Sequence, residues 1–226
     1  MIHVHFVMFI GDRMTEKKFT EIKLKEKENR RLALLQIAEN ILHENCLEDV
    51  TIRNVADKAG LSVGAIYMYF TSKEELLLAI LIRQLKKLQS ELESLKDIDD
   101  PLKALRAMAL AYRDYFTNYG KYIDVFRHLT EKEGKELISQ DNKNELLESL
   151  GAIFAFIEEL VSNEKFIKYF KGIPPRQVVP MVWSIVHGVS QITLSTTRGE
   201  TVGFVFDQVI DNFIHLISEG CNKSNR

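Results

Sequence analysis

The sequence predicts an all-α protein in which a three-helix helix-turn-helix domain precedes a larger helical bundle. Two short, capped helices fall within residues 51–70, and apolar residues recur at spacings of three and four through most of the remaining chain. Glycines and prolines separate these apolar stripes, as expected between consecutive helices. We therefore predict an extension over 1–24 that is disordered or extended, a helix-turn-helix domain over 25–75 and a bundle over 76–226.

Composition is ordinary for a water-soluble globular chain, with 226 residues of which 46% are apolar and 27% charged. The net charge of −2 neither predicts nor excludes a nucleic-acid partner, because such binding depends on local charge. Two cysteines without metal or disulfide spacing indicate a reducing cytoplasm. The apolar run at 4–10 is too short to cross a bilayer and lacks signal-peptide features, so we predict a cytoplasmic protein without a membrane partner.

The first helix is predicted from about Lys25 to His43, because apolar residues recur there at three and four. Asn45 is expected to end it in the left-handed conformation. Basic residues precede and open this helix: Lys17, Lys18, Lys23, Lys25, Lys27, Arg30 and Arg31. Such an arm suits salt-dependent contacts with phosphates. A solvated helix start, in which the lysines alternate with glutamates, is the alternative.

The next stretch shows the caps of two short helices and the start of a third. Thr51 suits the N-cap of the first helix, Gly60 its left-handed end, and Ser62 the N-cap of the second. Residues 72–75 form a capping box before an apolar run. Helix, glycine-containing turn and helix within about twenty residues is the layout whose second helix enters the DNA major groove.

The second short helix has two distinct faces. Ile66 and Phe70 fall on one side and are predicted to be buried with residues of the preceding helix. Gly64 and Ala65 fall on the other, where small side chains allow close approach to base edges. The candidate DNA-binding residues are Thr51, Arg53, Ser62, Val63, Gly64, Ala65, Tyr67, Tyr69 and Lys73. Other short capped helix pairs share this pattern without binding DNA, so spacing alone leaves both interpretations open.

Specific residues in this stretch resemble the DNA-binding domain of the TetR (tetracycline-repressor) family of bacterial regulators. The resemblance rests on 51–56, 59–62, Gly64, Tyr67, 69–70 and 72–74, and it extends from about 33 to 77. It implies an all-helical homodimer with a variable ligand-binding carboxy-terminal domain, and a repressor that a small molecule releases. Val63 stands where many members have a basic residue, which removes one phosphate contact.

Beyond Glu75, a leucine stripe from Leu77 to Leu95 predicts one long helix that joins the two domains. Asp100 before Pro101 suits the cap of the next helix, and a magnesium site in the acidic cluster at 97–100 is the disfavoured alternative. Aromatic residues on the later helices belong either to the core or to an apolar ligand pocket. The candidate ligand-binding residues are Tyr112, Phe116, Phe126, Phe154, Trp183 and His187.

The last two predicted helices, at about 175–197 and 204–218, are apolar on most sides and need cover. Two such helices from each of two subunits would form a four-helix interface, which also resembles how the TetR family dimerises. A two-fold dimer would present its recognition helices about 34–36 Å apart, or a multiple of that, on a near-palindromic site. His187 is expected to be a hydrogen-bonded interface histidine rather than a metal ligand.

These patterns together predict a dimeric DNA-binding transcription regulator, a repressor released from its operator by a small lipophilic or acyl-type effector. We predict no enzyme activity, catalytic residue, cofactor or metal site, because the sequence carries no familiar nucleophile, phosphate-loop or zinc motif. The alternative is an all-helical protein-interaction or small-molecule-binding module that does not bind DNA.

Overall fold

The computed structural model describes residues 2–119, 125, 127–129, 138–170, 172–196 and 200–223. All regular structure in these ranges is helical, which confirms the all-α prediction. The helices are α1 Ile2–Glu44, α2 Ile52–Ala59, α3 Val63–Tyr67, α4 Lys73–Glu93, α5 Pro101–Tyr119, α6 Gln140–Ser162, α7 Glu164–Ile167, α8 Pro175–Thr196 and α9 Glu200–Lys223. Short 3₁₀ helices lie at Leu47–Asp49 and Lys168–Phe170. Within the described ranges, every helix is too short or too polar to cross a bilayer.

The chain divides into two compact units, Met1–Ile80 and Leu81–Arg226. The division falls inside α4, five residues beyond the boundary expected after Glu75. The first unit contains α1 to α3 and the start of α4, and the second contains the remaining helices. A division within a helix is consistent with the predicted long helix that joins the two parts of the chain.

Helix α1 begins at Ile2 and not near Lys25, which corrects the expectation of a disordered or extended segment over 1–24. Residues 1–44 contain no proline, and from Glu16 onward they are rich in the strong helix formers lysine, glutamate and leucine. The first part of the sequence has no apolar stripe that could have predicted a helix there. Side chains are described from Lys18, and those of 18–30 are exposed.

Asn45 closes α1 in a way that the sequence did not predict. Its backbone N–H and its side-chain Nδ2 both donate to the Ile41 carbonyl, at 3.0 and 3.1 Å. Among the described residues, only glycines have positive φ, so the expected left-handed Asn45 is wrong. The side-chain amide gives the Ile41 carbonyl a second donor, so the last turn of α1 is held without a left-handed residue.

In the second unit, α8 packs against α5, α6 and α9, and α9 also packs against α5. The Asp100 Oδ1 accepts hydrogen bonds from the backbone N–H groups of Leu102 and Lys103, which confirms the predicted cap of α5. Arg106 joins α5 to α9 through Asp211, with its Nε 2.6 Å from the Asp211 Oδ1. This hydrogen bond lowers the pKa of Asp211 below its ordinary value.

Candidate nucleic-acid interface and ligand cavity

Helix α2 is held at both ends by the predicted caps. The Thr51 Oγ1 accepts a hydrogen bond from the Asn54 N–H at 3.1 Å. Gly60 lies in the left-handed region with φ 67° and ψ 31°, and its N–H donates to the carbonyls of Ala56 and Asp57. These contacts fix both the length of α2 and the direction in which the chain turns towards α3.

Helix α3 is a single short helix whose inner side is completely buried. The Ser62 Oγ caps it by accepting a hydrogen bond from the Ala65 N–H at 3.2 Å. Ile66 and Phe70 are 0% exposed, as are Val55 and Ala56 of α2, so the predicted packing between the two helices is confirmed. The buried side chains determine which side of α3 is left outside.

The outer side of α3 is an exposed surface of small, apolar and tyrosine side chains. Val63, Tyr67 and Met68 expose 40%, 51% and 73% of their area, and Ser62 and Gly64 are also exposed. Such a concentration of exposed apolar groups within seven residues is typical of a binding surface. Met68 was not among the candidate contacts, although the helical spacing had put it opposite the core.

The remaining candidates lie on α2, on α3 and in the segments next to these helices. Arg53 is exposed, whereas Thr51, Ala65, Tyr69 and Lys73 are partly buried. The Lys73 Nζ lies 3.4 Å from the Leu47 carbonyl oxygen, so its ammonium group is beside the 3₁₀ helix before α2. All nine candidates thus lie in the first unit.

A capping box at the start of α4 fixes the chain that leaves α3. The Ser72 Oγ accepts from the Glu75 N–H at 3.0 Å, as predicted. The return contact goes to Thr71, whose N–H and hydroxyl both donate to the Glu75 carboxylate at 2.6 Å. Two hydrogen bonds to one carboxylate restrict the turn between the end of α3 and the first turn of α4.

Arg31 of α1 also contacts this region, which the sequence did not indicate. Its guanidinium carbon lies 5.1 Å from the centroid of the Phe70 ring, within the range of a cation–π interaction. The contact joins α1 to the segment that directly follows α3. No local pattern could predict it, because the two residues are separated by most of the domain.

In the second unit, aromatic side chains from α5, α6 and α8 form a cluster around Trp183. The Trp183 ring centroid lies 5.0 Å from that of Tyr112, 5.1 Å from that of Phe154 and 5.8 Å from that of His187. Phe116 lies edge-on to His187, at 6.0 Å. Five of the six candidate ligand-binding residues are therefore brought together.

Phe126, the sixth candidate, lies outside the described residues.

Tyr112 and His187 form the polar contact of this aromatic cluster. The Tyr112 hydroxyl lies 2.7 Å from the His187 Nδ1. Burial raises the pKa of Tyr112 well above its ordinary value, and burial lowers the pKa of His187. Burial therefore favours the neutral forms of both groups, which share one hydrogen bond. The predicted hydrogen-bonded histidine is confirmed, and its place in an interface stays a prediction.

An apolar cavity lies beside the cluster. It is lined by Leu92, Met108, Tyr112, Ile153, Ile157, Trp183 and Val186. Its free space for the centre of a water-sized sphere is about 10 Å³, close to the minimum for one water molecule. Any larger occupant would require the surrounding side chains to move.

Helix-turn-helix proteins contain a pair of capped helices whose second member exposes its outer side. Helices α2 and α3 form such a pair within an all-helical fold, so the structure defines this class.

Residues 34–80 match the bacterial regulatory proteins of the tetR family. The chain is 37% identical over 100 residues to the HTH-type transcriptional regulator EthR of Mycobacterium tuberculosis, which covers 44% of this chain and 46% of EthR. This amino-terminal part of the chain is therefore similar to the TetR family. The match spans a little under half the length of that relative.

Solved structures show the same fold over most of the chain. PfmR, a TetR family regulator from Thermus thermophilus, has a TM-score of 0.62 at 21% identity, covering 81% of this chain and 96% of PfmR. The regulator FadR from Bacillus subtilis, in complex with stearoyl-CoA, has a TM-score of 0.63 at 14% identity, covering 81% of this chain and 97% of FadR. At these identities the similarity extends to the fold of both units and to nothing finer.

Proposed function

We propose that this protein is a transcription regulator that binds operator DNA as a homodimer and leaves it when a small molecule binds the carboxy-terminal unit. The observation that carries the proposal is the outer surface of α3. Ile66 and Phe70 fix the helix from inside, while Gly64 and Tyr67 remain exposed. The match of residues 34–80 to the TetR family supports the same function. Such a regulator would act in the cytoplasm.

The side chains on this surface suit different parts of a DNA duplex. The absence of a side chain at Gly64 would let the backbone of α3 come close to base edges, and Val63 and Ala65 offer methyl groups to thymine. Ser62, Tyr67 and Tyr69 have hydroxyl groups within the same short segment, suitable for phosphate oxygens. Thr51, Arg53 and Lys73 would hold the flanking backbone. These assignments are proposals for individual residues.

The test is a titration of a DNA fragment from beside the protein's own gene, by gel shift, with Tyr67→Ala. Because Tyr67 is 51% exposed, its truncation should leave folding unchanged and weaken DNA binding about tenfold or more, the loss expected for a contact of about 1.4 kcal/mol. Leu147→Ala is the matched control, since Leu147 is 65% exposed on α6 of the other unit. Equal affinity of the two variants for DNA would contradict the proposal.

The proposed homodimer would use α8 and α9, on which apolar residues repeat along one side of each helix. The repeats are Met181, Ile185, Gly188 and Ile192 on α8, and Val209, Phe213, Leu216 and Gly220 on α9. All eight are exposed or only partly buried in the single chain. A Cβ atom at either glycine would meet nothing within 4 Å, so packing within the chain does not require glycine there. Close approach of a second subunit would require glycine at both positions.

The proposed effector is an apolar molecule with one hydrogen-bonding group, such as an acyl compound. The lining of the cavity in the second unit is apolar, and the Tyr112–His187 pair beside it could bind a carbonyl or a hydroxyl group. FadR, which shares the fold, was solved with stearoyl-CoA. We expect long-chain acyl-CoA to release the protein from DNA and coenzyme A alone to have no effect. Release by neither compound would contradict this effector class.

A further inference from the structure

Residues 18–31 of α1 carry basic side chains in an ordered arrangement, and the side chains of 18–30 are exposed. Residues 18–31 contain six basic and three acidic residues. At about 100° per residue, Lys23, Lys27 and Arg30 fall within about 60° of one another around the helix. We call these three the basic stripe. Lys18 and Lys25 project from the opposite side of the same helix.

The basic stripe continues the side of α1 that packs inside the domain. By the same spacing, Leu34, Ala38 and Ile41 lie in line with the stripe, and all three are buried. In this part α1 packs against α2. The stripe therefore extends beyond the packed core on the side of α1 that faces the helix-turn-helix.

Arg31 fixes the position of the stripe relative to α3. Its guanidinium lies over the Phe70 ring, and its Nη1 lies 3.8 Å from the Glu28 Oε1. Phe70 comes three residues after Tyr67, so the basic segment begins beside the end of α3. At 1.5 Å per residue, Lys23 lies about 12 Å further along α1 than Arg31. That distance corresponds to a few phosphates along a DNA strand.

We propose that the basic stripe binds DNA phosphates next to the half-site that α3 contacts, so that one side of α1 serves as a phosphate-binding arm. The inference rests on the proposed function. The ammonium groups of Lys23 and Lys27 are compact point charges suited to phosphate oxygens, and the guanidinium of Arg30 can contact two oxygens at once. Because every nucleotide has the same phosphate, the arm adds affinity without selecting a base sequence.

An anionic membrane surface is the other polyanion that a basic helix can bind. Phe19 and Ile22 lie beside the stripe and are 60% and 56% exposed, so they are the groups that would enter a lipid surface. The Lys23 Nζ, however, lies 4.5 Å from the centroid of the Phe19 ring and covers it with a charge. Glu26 is a further charged group next to the stripe. The proximity of Arg31 to Phe70 also favours DNA.

The test compares two double variants of the full chain, Lys23→Gln/Lys27→Gln in the stripe and Lys18→Gln/Lys25→Gln on the opposite side. Both remove two lysine charges from exposed positions of the same segment, so helix content and melting temperature should stay equal. Affinity for a duplex from beside the protein's own gene is measured between about 50 and 200 mM salt, and each phosphate contact contributes about 0.9 to the slope of log affinity against log salt. The stripe variant should lower that slope by about 2 per protomer, or about 4 for the homodimer, and the control should not. The fall in affinity over this range then becomes roughly a hundredfold smaller for the homodimer.

Equal slopes for the parent chain and both variants would overturn the inference and leave the proposed function standing. An equal reduction in both variants would also overturn it, because only total charge would then matter. Failure of the parent chain to bind the duplex would overturn the proposed function and the inference together. Binding of the parent to vesicles of equal phosphatidylcholine and phosphatidylserine, lost only in the stripe variant while the DNA slope is unchanged, would replace DNA by a membrane surface.

Discussion

Gly60 and Gly64 lie four residues apart and have different physical reasons to be glycine. Gly60 has φ 67°, a conformation that other residues adopt only at a cost, and no atom stands within 4 Å of where its Cβ would be. Gly64 has no such backbone requirement, and an added Cβ would lie 3.9 Å from the Ser62 Oγ, an ordinary contact. The structure therefore gives a folding reason for Gly60 and none for Gly64.

Replacing each glycine by alanine should separate stability from DNA binding. Gly60→Ala should lower the free energy of unfolding by about 1–2 kcal/mol, because alanine is strained in the left-handed region. Gly64→Ala should leave it unchanged or raise it by up to about 1 kcal/mol, because alanine favours a helix. It should nevertheless weaken DNA binding about tenfold, since the added methyl group would separate α3 from the bases. Chemical denaturation and gel shift measure the two quantities, and full DNA affinity of Gly64→Ala would contradict close approach at this position.

At the scale of single residues, the sequence was most informative where the interaction is local. Thr51, Ser62, Ser72 and Gly60 are all within four residues of the groups they cap, so their spacing alone predicted the contacts. The contact of Asn45 is also local, but asparagine can end a helix either in the left-handed conformation or through a side-chain hydrogen bond. Here the side-chain hydrogen bond is formed. The position of Arg31 over Phe70 depends on how α1 packs, and no spacing rule describes that.

At the level of helices, the contact between α5 and α8 was predicted only in part. Residue type and spacing predicted that Tyr112, Trp183 and His187 belong to one apolar region, and the structure brings them together. The hydrogen bond between Tyr112 and His187 was not predictable, because it joins residues 75 positions apart in the sequence. The start of α1 was also missed, because the recurring apolar residues that predicted this helix lie from Leu34 onward.

The burial of His187 should make stability depend on pH. Burial lowers the pKa of His187 from an ordinary value of 6.5, so the unfolded chain binds the proton more tightly than the folded one. Its contribution to stability is therefore complete above pH 6.5 and is lost as the pH falls through the lowered pKa. Tyr112→Phe should reduce the free energy of unfolding by about 1 kcal/mol at about pH 8, the value of a neutral hydrogen bond.

Denaturation of both chains at about pH 8 and about pH 5.5 measures the two effects on stability, and NMR titration of the parent chain measures the pKa of the His187 imidazole. Unchanged stability of Tyr112→Phe at about pH 8, or a His187 pKa at or above 6.5 in the parent chain, would contradict the expectation.

At the scale of the whole molecule, the proposed dimer explains exposed apolar residues that the single chain does not. Leu216 is 69% exposed on α9, in the middle of the apolar repeat that includes Val209 and Gly220. A charged residue there would be buried without a partner in the dimer but solvated in the monomer. The dimer is therefore sensitive to a substitution that the single chain should tolerate.

Leu216→Glu should convert the dimer to a monomer at micromolar concentration, with its helix content retained, as measured by sedimentation equilibrium and circular dichroism. Leu147→Glu is the matched control, since Leu147 is 65% exposed but belongs to α6. If Leu216→Glu stays dimeric, or if Leu147→Glu dissociates equally, α9 is not the interface.

The central claim is that two copies of α3, one from each subunit, contact one DNA duplex, and footprinting tests it most directly. On a fragment from beside its own gene, the protein should protect two segments of related inverted sequence. Their centres should lie one helical turn apart, about 34–36 Å, or a multiple of that. At a protein concentration that just saturates the footprint of the parent chain, Tyr67→Ala should lose both segments together. A single protected segment, or the same two segments with Tyr67→Ala, would contradict the claim.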